Sequence, residues 1–264
     1  MHMQARNRTL IALAMALAMP AALAAGAEPA AAPTAAPAVD PAAIGALEKM
    51  GQTLRGLGQF AVVSDATMEL VLADGQKVEI DQDIHYRVRK PDRLRIDLRN
   101  EHFDREVFFD GKQLTVWAPR LKYYATVDTE ARTLGQLVTN AAEKYDLQLP
   151  LTDLFLWGTD AAPVSAITGA FKVGDTVLDG DRVDHWAFRQ EGVDWQLWIS
   201  QASSLPRKLV IVGTDDPALP EFTANLDWDT RTPIEDAAFA FQAPQDANRI
   251  VLVPIHAAGD SQEN

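Results

Sequence analysis

Cysteine is absent from all 264 residues. That absence excludes disulfides, thiolate metal sites, a thiol nucleophile and a lipid anchor on an N-terminal cysteine. If exported, such a chain must hold its fold by core burial alone. Histidine is scarce, with five copies, and no His-Glu-x-x-His, Gly-x-Ser-x-Gly or phosphate-cradling glycine loop occurs. Asp81, Asp83 and His85 alternate along one stretch and would share a strand face, but a solvated strand accounts for them. His102 and His185 lack a second ligand at metal-site spacing. Acidic pairs are too plentiful for any one to be singled out as an acid and base. No catalytic residue, metal or cofactor is therefore expected, and an enzyme reading has no positive support.

Positive charge is also short. Lysine and arginine number 24 against 37 acidic residues, a net charge of −13. This balance argues against nucleic acid or anionic headgroups as the main partner. Beyond residue 25 no apolar run is long enough to cross a bilayer, so the mature chain is expected to be soluble and not transmembrane.

What is present begins with an address. Arg6 and Arg8 precede an apolar run, Leu10 to Ala25, and the small-residue sites Ala22-Leu23-Ala24 and Ala25-Gly26-Ala27 follow. The order is that of a secretory signal peptide over residues 1–27. Its removal would leave 22 basic residues against 37 acidic ones, a charge of −15. Residues 28–39 are an Ala/Pro tract that suits an extended linker. One domain is expected over 40–256, with a disordered tail over 257–264. The location implied is the periplasm.

Asp40-Pro41 reads as a helix start, with Ile44, Leu47, Gly51 and Leu54 at helical spacing beside Met50. From Gln59 the period becomes two. Turn signals at Asp74-Gly75, Pro91-Asp92, Asp110-Gly111 and Pro119-Arg120 separate strand-like runs. Thr133 opens a second helix whose stripe is Leu134, Leu137, Val138, Ala141, Ala142 and Tyr145. LPLTDLFLW, Leu149 to Trp157, is a dense apolar stretch. Strands resume after Gly158, for about eleven in all. No crossover helix links the first strands, so an antiparallel sheet is predicted.

The stretch FFDGKQLTVWAPRLKYYATV, Phe108 to Val127, is apolar on both faces. A two-residue turn at Asp110-Gly111 would set Val107 opposite Leu114, with Val107, Phe109, Leu114 and Val116 on a core face. Phe108 and Trp117 share the other face with polar groups, and Tyr123 and Tyr124 divide between the faces. A sheet open to water would alternate more cleanly. The stripe from Leu134 and the run to Trp157 need a surface to cover, and a curved sheet lidded by them is the economical arrangement. Whether that space is filled or hollow stays open. Trp186, Trp195 and Trp198 suit either a core or a stacked ligand.

FFDGKQLTVWAPRLKYYATV resembles the strand–Asp-Gly-Lys–strand–Tyr element of the outer-membrane lipoprotein carriers LolA and LolB. SLPRKLVIV is similar to their later Leu-Pro-basic strand. FTANLDWDTRTPIEDAAFAFQAP is similar to their closing pattern, with Asp236, Phe239, Phe241 and Pro244. The likeness runs through residues 44 to 250 in order. KPDRLRIDL, FFDGK and LPLTDLFLWG further resemble a family of predicted periplasmic proteins within that superfamily. The resemblance implies a mainly β (α+β) fold, a half-open antiparallel β-barrel with helices covering its concave face. It implies binding or carriage of a lipid or lipoprotein acyl chain. The expected ligand lining is Phe108, Trp117 and Tyr124, with a lid of Leu134, Leu137, Val138, Leu154, Phe155 and Trp157. An envelope sensor or interaction module that binds a protein partner is the alternative.

Overall fold

The computed structural model describes residues 39–157, 159 and 162–255, without the side chains of Asp153 and Leu154. The expected signal peptide, most of the expected linker and the expected tail lie outside these residues. Helix α1 spans Pro41–Gly56. Asp40 caps it as expected: its carboxylate accepts from the Ala42 N–H at 2.8 Å, and Pro41 occupies the first helical position. Ala43, Leu47, Met50, Gly51 and Leu54 form its buried face. The Asp40 N–H also donates to the Ala170 carbonyl at 2.9 Å, which ties the helix start to a strand far along the chain.

Six strands follow: β1 (Gln59–Val71), β2 (Lys77–Arg89), β3 (Arg93–Arg99), β4 (Asp104–Phe109), β5 (Gln113–Ala118) and β6 (Tyr123–Asp128). Helices α2 (Leu134–Tyr145) and α3 (Asp153–Leu156) come next. Then come β7 (Gly169–Leu178), β8 (Asp181–Gln190), β9 (Val193–Ser200), β10 (Pro206–Gly213) and β11 (Glu221–Asp229). A two-residue strand, β12 (Asn248–Arg249), is the addition to the eleven expected. It is too short to leave a periodic signal.

All twelve strands form one sheet in the order β12-β6-β5-β4-β3-β2-β1-β11-β10-β9-β8-β7. The long strands pair antiparallel with their neighbours, and β12 lies parallel to β6. The sheet does not close, and β7 and β12 are its edges. This is the expected half-open, mainly β architecture with helices over one face.

That topology requires two long crossings. β6 lies beside one edge and β7 is the other, so the link between them must traverse the sheet. α2 and α3 lie within that link, on the concave face. Thr133 caps α2, accepting from the Gln136 N–H at 3.2 Å, while the Gln136 side chain accepts from the Arg132 N–H at 2.8 Å. Leu134, Leu137 and Val138 then bury against the sheet, each worth about 1.5–3 kcal/mol of transfer free energy. They belong to one core cluster with Leu94, Ile96, Val107, Phe109 and Leu114 that also takes in Trp186, Trp195, Leu197 and Leu209.

The second crossing runs from β11, in the middle of the sheet, back to β12 beside β6. It passes over the convex face as an extended strap. The Arg89 guanidinium binds Asp236 and lies over the Phe239 ring. Lys122 pairs with Asp246 near the far end.

The Asp110-Gly111 turn differs from expectation. Phe109, not Val107, pairs with Leu114, and Val107 pairs with Val116. The Asp110 carboxylate accepts from the Lys112 and Gln113 N–H groups at 2.9 and 2.8 Å, and Gly111 sits at φ +89°. These bonds stabilise a wider loop than two residues. The shift is an even number of positions, so each side chain keeps its expected face.

Candidate functional site

The expected site residues whose side chains are described fall on opposite faces. Phe108, Trp117 and Tyr124 point away from the helices. Phe108 pairs across the sheet with Arg95 and Thr115, while Trp117 pairs with Glu106 and Tyr124. All three surround the strap residue Phe241, with ring centroids at 5.4, 5.9 and 5.1 Å. The Arg95 guanidinium covers Phe108 from 4.7 Å. This corrects the expected lining under the helices, because the pleat places these aromatics on the convex face. The mixed character of that face arises because the protein's own C-terminal strap covers part of it.

The expected lid residues are on the helix-covered side. Leu134, Leu137 and Val138 are packed into the core and bound no large space. A small hollow of about 80 Å³ lies beside Leu137. Phe155 stacks near Phe60 and Tyr86, at 6.5 and 5.9 Å. The Leu154 side chain lies outside the described residues. Trp157 lines a real pocket.

That pocket has a volume of about 260 Å³ and lies over the other half of the sheet. Leu47 of α1 forms one wall. Trp157, Ala162, Pro163, Val164 and Ile167 form a second. The floor comes from the pleated faces of β9 and β10, with Val193, Trp195, Leu209 and Ile211. Gln190, at the end of β8, is the single polar side chain, tryptophan indoles apart, among the described lining residues, and none of those is charged. Its side-chain oxygen accepts from Trp195 Nε1 at 2.9 Å. Phe188 stacks on Trp195 at 4.1 Å and stiffens the floor. Of these residues Trp195 stood out in the sequence as an aromatic suited to either role, Trp157 as an expected lid residue and Leu47 as part of the first helix's apolar face. The rest come from segments far apart in the chain, which only the tertiary fold brings together.

The floor does not stop at the pocket. Paired residues on the same face continue it: Trp195 with Ile211, Ile211 with Phe222, Phe222 with Met68, and Met68 with Ile80. Four strand spacings of about 4.8 Å make a row about 19 Å long. Next to it, Leu70 and Val78 also pair. Met68 is 38% exposed and Leu70 45%. An apolar strip thus leads out of the pocket along the concave face, exposed at Met68, Leu70 and Val78 and buried at Trp195 and Ile80.

Among the described residues, none of the groups with displaced acidity lines the pocket. Burial pushes the Glu106 carboxyl up, against the pull of Arg95, and pushes the Lys90 ammonium and the His185 imidazole down. Lys90 donates to the Leu54 carbonyl at 2.6 Å and so holds the last turn of α1. His185 lies on the convex face, stacked on Trp198 at 3.9 Å and bonded to Gln196 at 2.9 Å. These are structural roles. Asp81, Asp83 and His85 do not form a metal cluster among the described residues.

A family model described as "Predicted periplasmic protein (DUF2092)" matches residues 43–253. No curated protein matches the chain. Among solved structures, the MucA/MucB complex of Pseudomonas aeruginosa matches with 16% identity and a TM-score of 0.43. That match covers 79% of this chain and 63% of the other. The lipoprotein LppX of Mycobacterium tuberculosis matches with 12% identity and a TM-score of 0.43, over 74% of this chain and 100% of its own. A LolA superfamily protein from Nitrosomonas europaea matches with 10% identity and a TM-score of 0.33, over 75% and 97%.

Proposed function

This chain belongs to the DUF2092 family of predicted periplasmic proteins, and from that premise we propose that it binds a long apolar molecule, a lipid or lipoprotein acyl chain, in the cell envelope. The carrying observation is the uncharged 260 Å³ pocket that opens onto the apolar row from Trp195 to Ile80. At about 30 Å³ per water-sized group, the pocket takes on the order of eight or nine methylenes. Each is worth about 0.8 kcal/mol on leaving water. The rest of a longer chain lies along Ile211, Phe222 and Met68. Exposed apolar side chains at this strip are out of keeping with so acidic a surface, and a ligand gives them a purpose. α2 and α3 act as the lid of the concave face and shift when a bulkier ligand enters. Carriage between membranes follows if release is coupled to that shift.

The test is extraction of bound lipid from protein exported to the periplasm and purified without detergent, read by mass spectrometry. Titration with the uncharged probe N-phenyl-1-naphthylamine accompanies it. Co-purified acyl lipid and saturable probe binding are expected. Empty protein that ignores the probe removes the proposal.

A second reading has its own observation. β7 is a ten-residue edge strand that exposes Phe171, Val173 and Val177, the last at 56%. An apolar hollow of about 370 Å³ adjoins it, walled by Phe171, Val173 and Ala187. An edge of this kind accepts an added strand from a partner protein. Recovery of one stoichiometric envelope protein, lost on Val173→Lys and indifferent to lipid, supports this reading.

A further inference from the structure

Gln190 is the one hydrogen-bonding side chain among the residues that line the pocket, apart from the Trp indoles, and its orientation is set by its neighbour. The indole N–H of Trp195 can only donate. The atom of Gln190 that receives it at 2.9 Å is therefore the amide oxygen. The amide nitrogen is left with two N–H donors and, among the described residues, no protein acceptor. Gln190 borders the pocket, is half-buried and is not a sealed-in orphan.

Charge near the pocket is already committed. Arg189, next in sequence, points to the other face and forms a two-pronged pair with Asp194 at 2.6 and 2.5 Å. Arg55 donates to the Trp157 carbonyl at 3.3 Å and does not line the pocket. An anion drawn into this space would shed water with no cation among the described lining residues to meet it, which is strongly unfavourable. A neutral carbonyl oxygen would meet an N–H donor already held in place.

Resting on the reading of the pocket as an acyl site, we infer that it selects an acyl chain ending in an uncharged carbonyl, an ester or amide, over one ending in an anion. Gln190 is the residue that sets this preference. The ligand oxygen accepts from the Gln190 amide nitrogen, and the chain beyond it runs over Trp195 and Ile211.

Monopalmitoylglycerol and palmitate, both below their aggregation limits at pH 8, make a matched pair of probes with one chain length. The full-length mature protein is titrated with each by calorimetry. Wild type is expected to bind the ester at least tenfold more tightly. Gln190→Glu keeps an oxygen for Trp195 and nearly the same shape, but replaces the donor by a negative charge. It should weaken ester binding at least tenfold with an unchanged melting temperature. Gln190→Leu removes both bonds and should narrow the ester-to-palmitate ratio to within threefold. Equal affinity for the two probes, or an ester affinity untouched by Gln190→Glu, overturns the inference and leaves the acyl site standing. Failure of both probes to bind overturns the acyl site itself.

Discussion

Ile211→Asp places a charge in the middle of the apolar row. Ile211 pairs with Trp195 on one side and Phe222 on the other, and it is half-buried. A chain that crosses the strands meets a new side chain about every 4.8 Å, so the carboxylate displaces roughly three methylenes from apolar contact. At about 0.8 kcal/mol each the loss is about 2.4 kcal/mol, or roughly sixtyfold in Kd. The fold should survive. A half-buried isoleucine contributes only part of its transfer free energy, and the new carboxylate keeps access to water, so about 2 kcal/mol of stability is lost. The assay is fluorescence titration with N-phenyl-1-naphthylamine, alongside circular dichroism to establish that the variant is folded. A folded Ile211→Asp protein that binds within twofold of wild type refutes the apolar row as the ligand's path. Phe241→Ala, on the opposite face, serves as the control and should leave the affinity unchanged.

That same Phe241→Ala change should lower stability by about 2–3 kcal/mol in urea titration, because three aromatic contacts worth roughly 0.5–1.5 kcal/mol each disappear; a loss under about 0.5 kcal/mol would show that the strap is not anchored there. Asp229 begins the strap. Hydrogen bonds from the Thr232 side chain, the Thr232 N–H and the Arg231 N–H pull its carboxyl from 3.8 down to about 2. A lowered carboxyl stabilises the fold fully above the ordinary value and loses that effect as pH falls toward 2. The carboxyl carbon signal of Asp229 should therefore titrate near pH 2, and a midpoint near 3.8 would contradict the turn. Gly111→Ala should destabilise by about 1–2 kcal/mol, since φ is +89° and the new methyl would collide with the Asp92 carboxyl and the Arg93 guanidinium. Thermal denaturation measures it, and an unchanged melting temperature would mean the loop adapts freely.

Local order was legible in the sequence wherever one face met water. Leu94, Ile96 and Leu98 alternate with Arg93, Arg95, Asp97 and Arg99, and the structure pairs those charges along the outer face. Asp40-Pro41 and Thr133 marked the helix starts because caps act within a few residues. The site was harder to read. Phe108, Trp117 and Tyr124 look like ligand lining because they are large aromatics among polar groups, a pattern that signals only that something covers them. What covers them is Phe241, more than a hundred residues later. Aligning Phe109 and Val107 with Leu94 and Ile96 would have shown that the helices take the other face. The pocket left still less trace: Trp157 was expected in a lid, but Leu47, Ile167, Gln190 and Ile211 read singly as ordinary core or strand residues. Their meeting depends on β1 pairing with β11, which joins the two halves of the chain.

The two faces differ because the two crossings differ. The link from β6 to β7 brings helices with wide apolar stripes, and these fill the concave face over β3–β5 with Leu134, Leu137 and Val138. Two short helices cannot span twelve strands, so cover thins toward β9, β10 and β11. The pocket and the apolar row lie there. The return from β11 to β12 is an extended strap with few large side chains. Phe239 and Phe241 pin it, and arginines and carboxylates beside it stay near water. A strap of that kind seals a face without enclosing a volume, whereas helices laid over a curved sheet leave gaps at their ends. The room on the concave side therefore lies between Leu47 of α1 and Trp157, while Phe108, Trp117 and Tyr124 on the other face hold the C-terminal strap through Phe241.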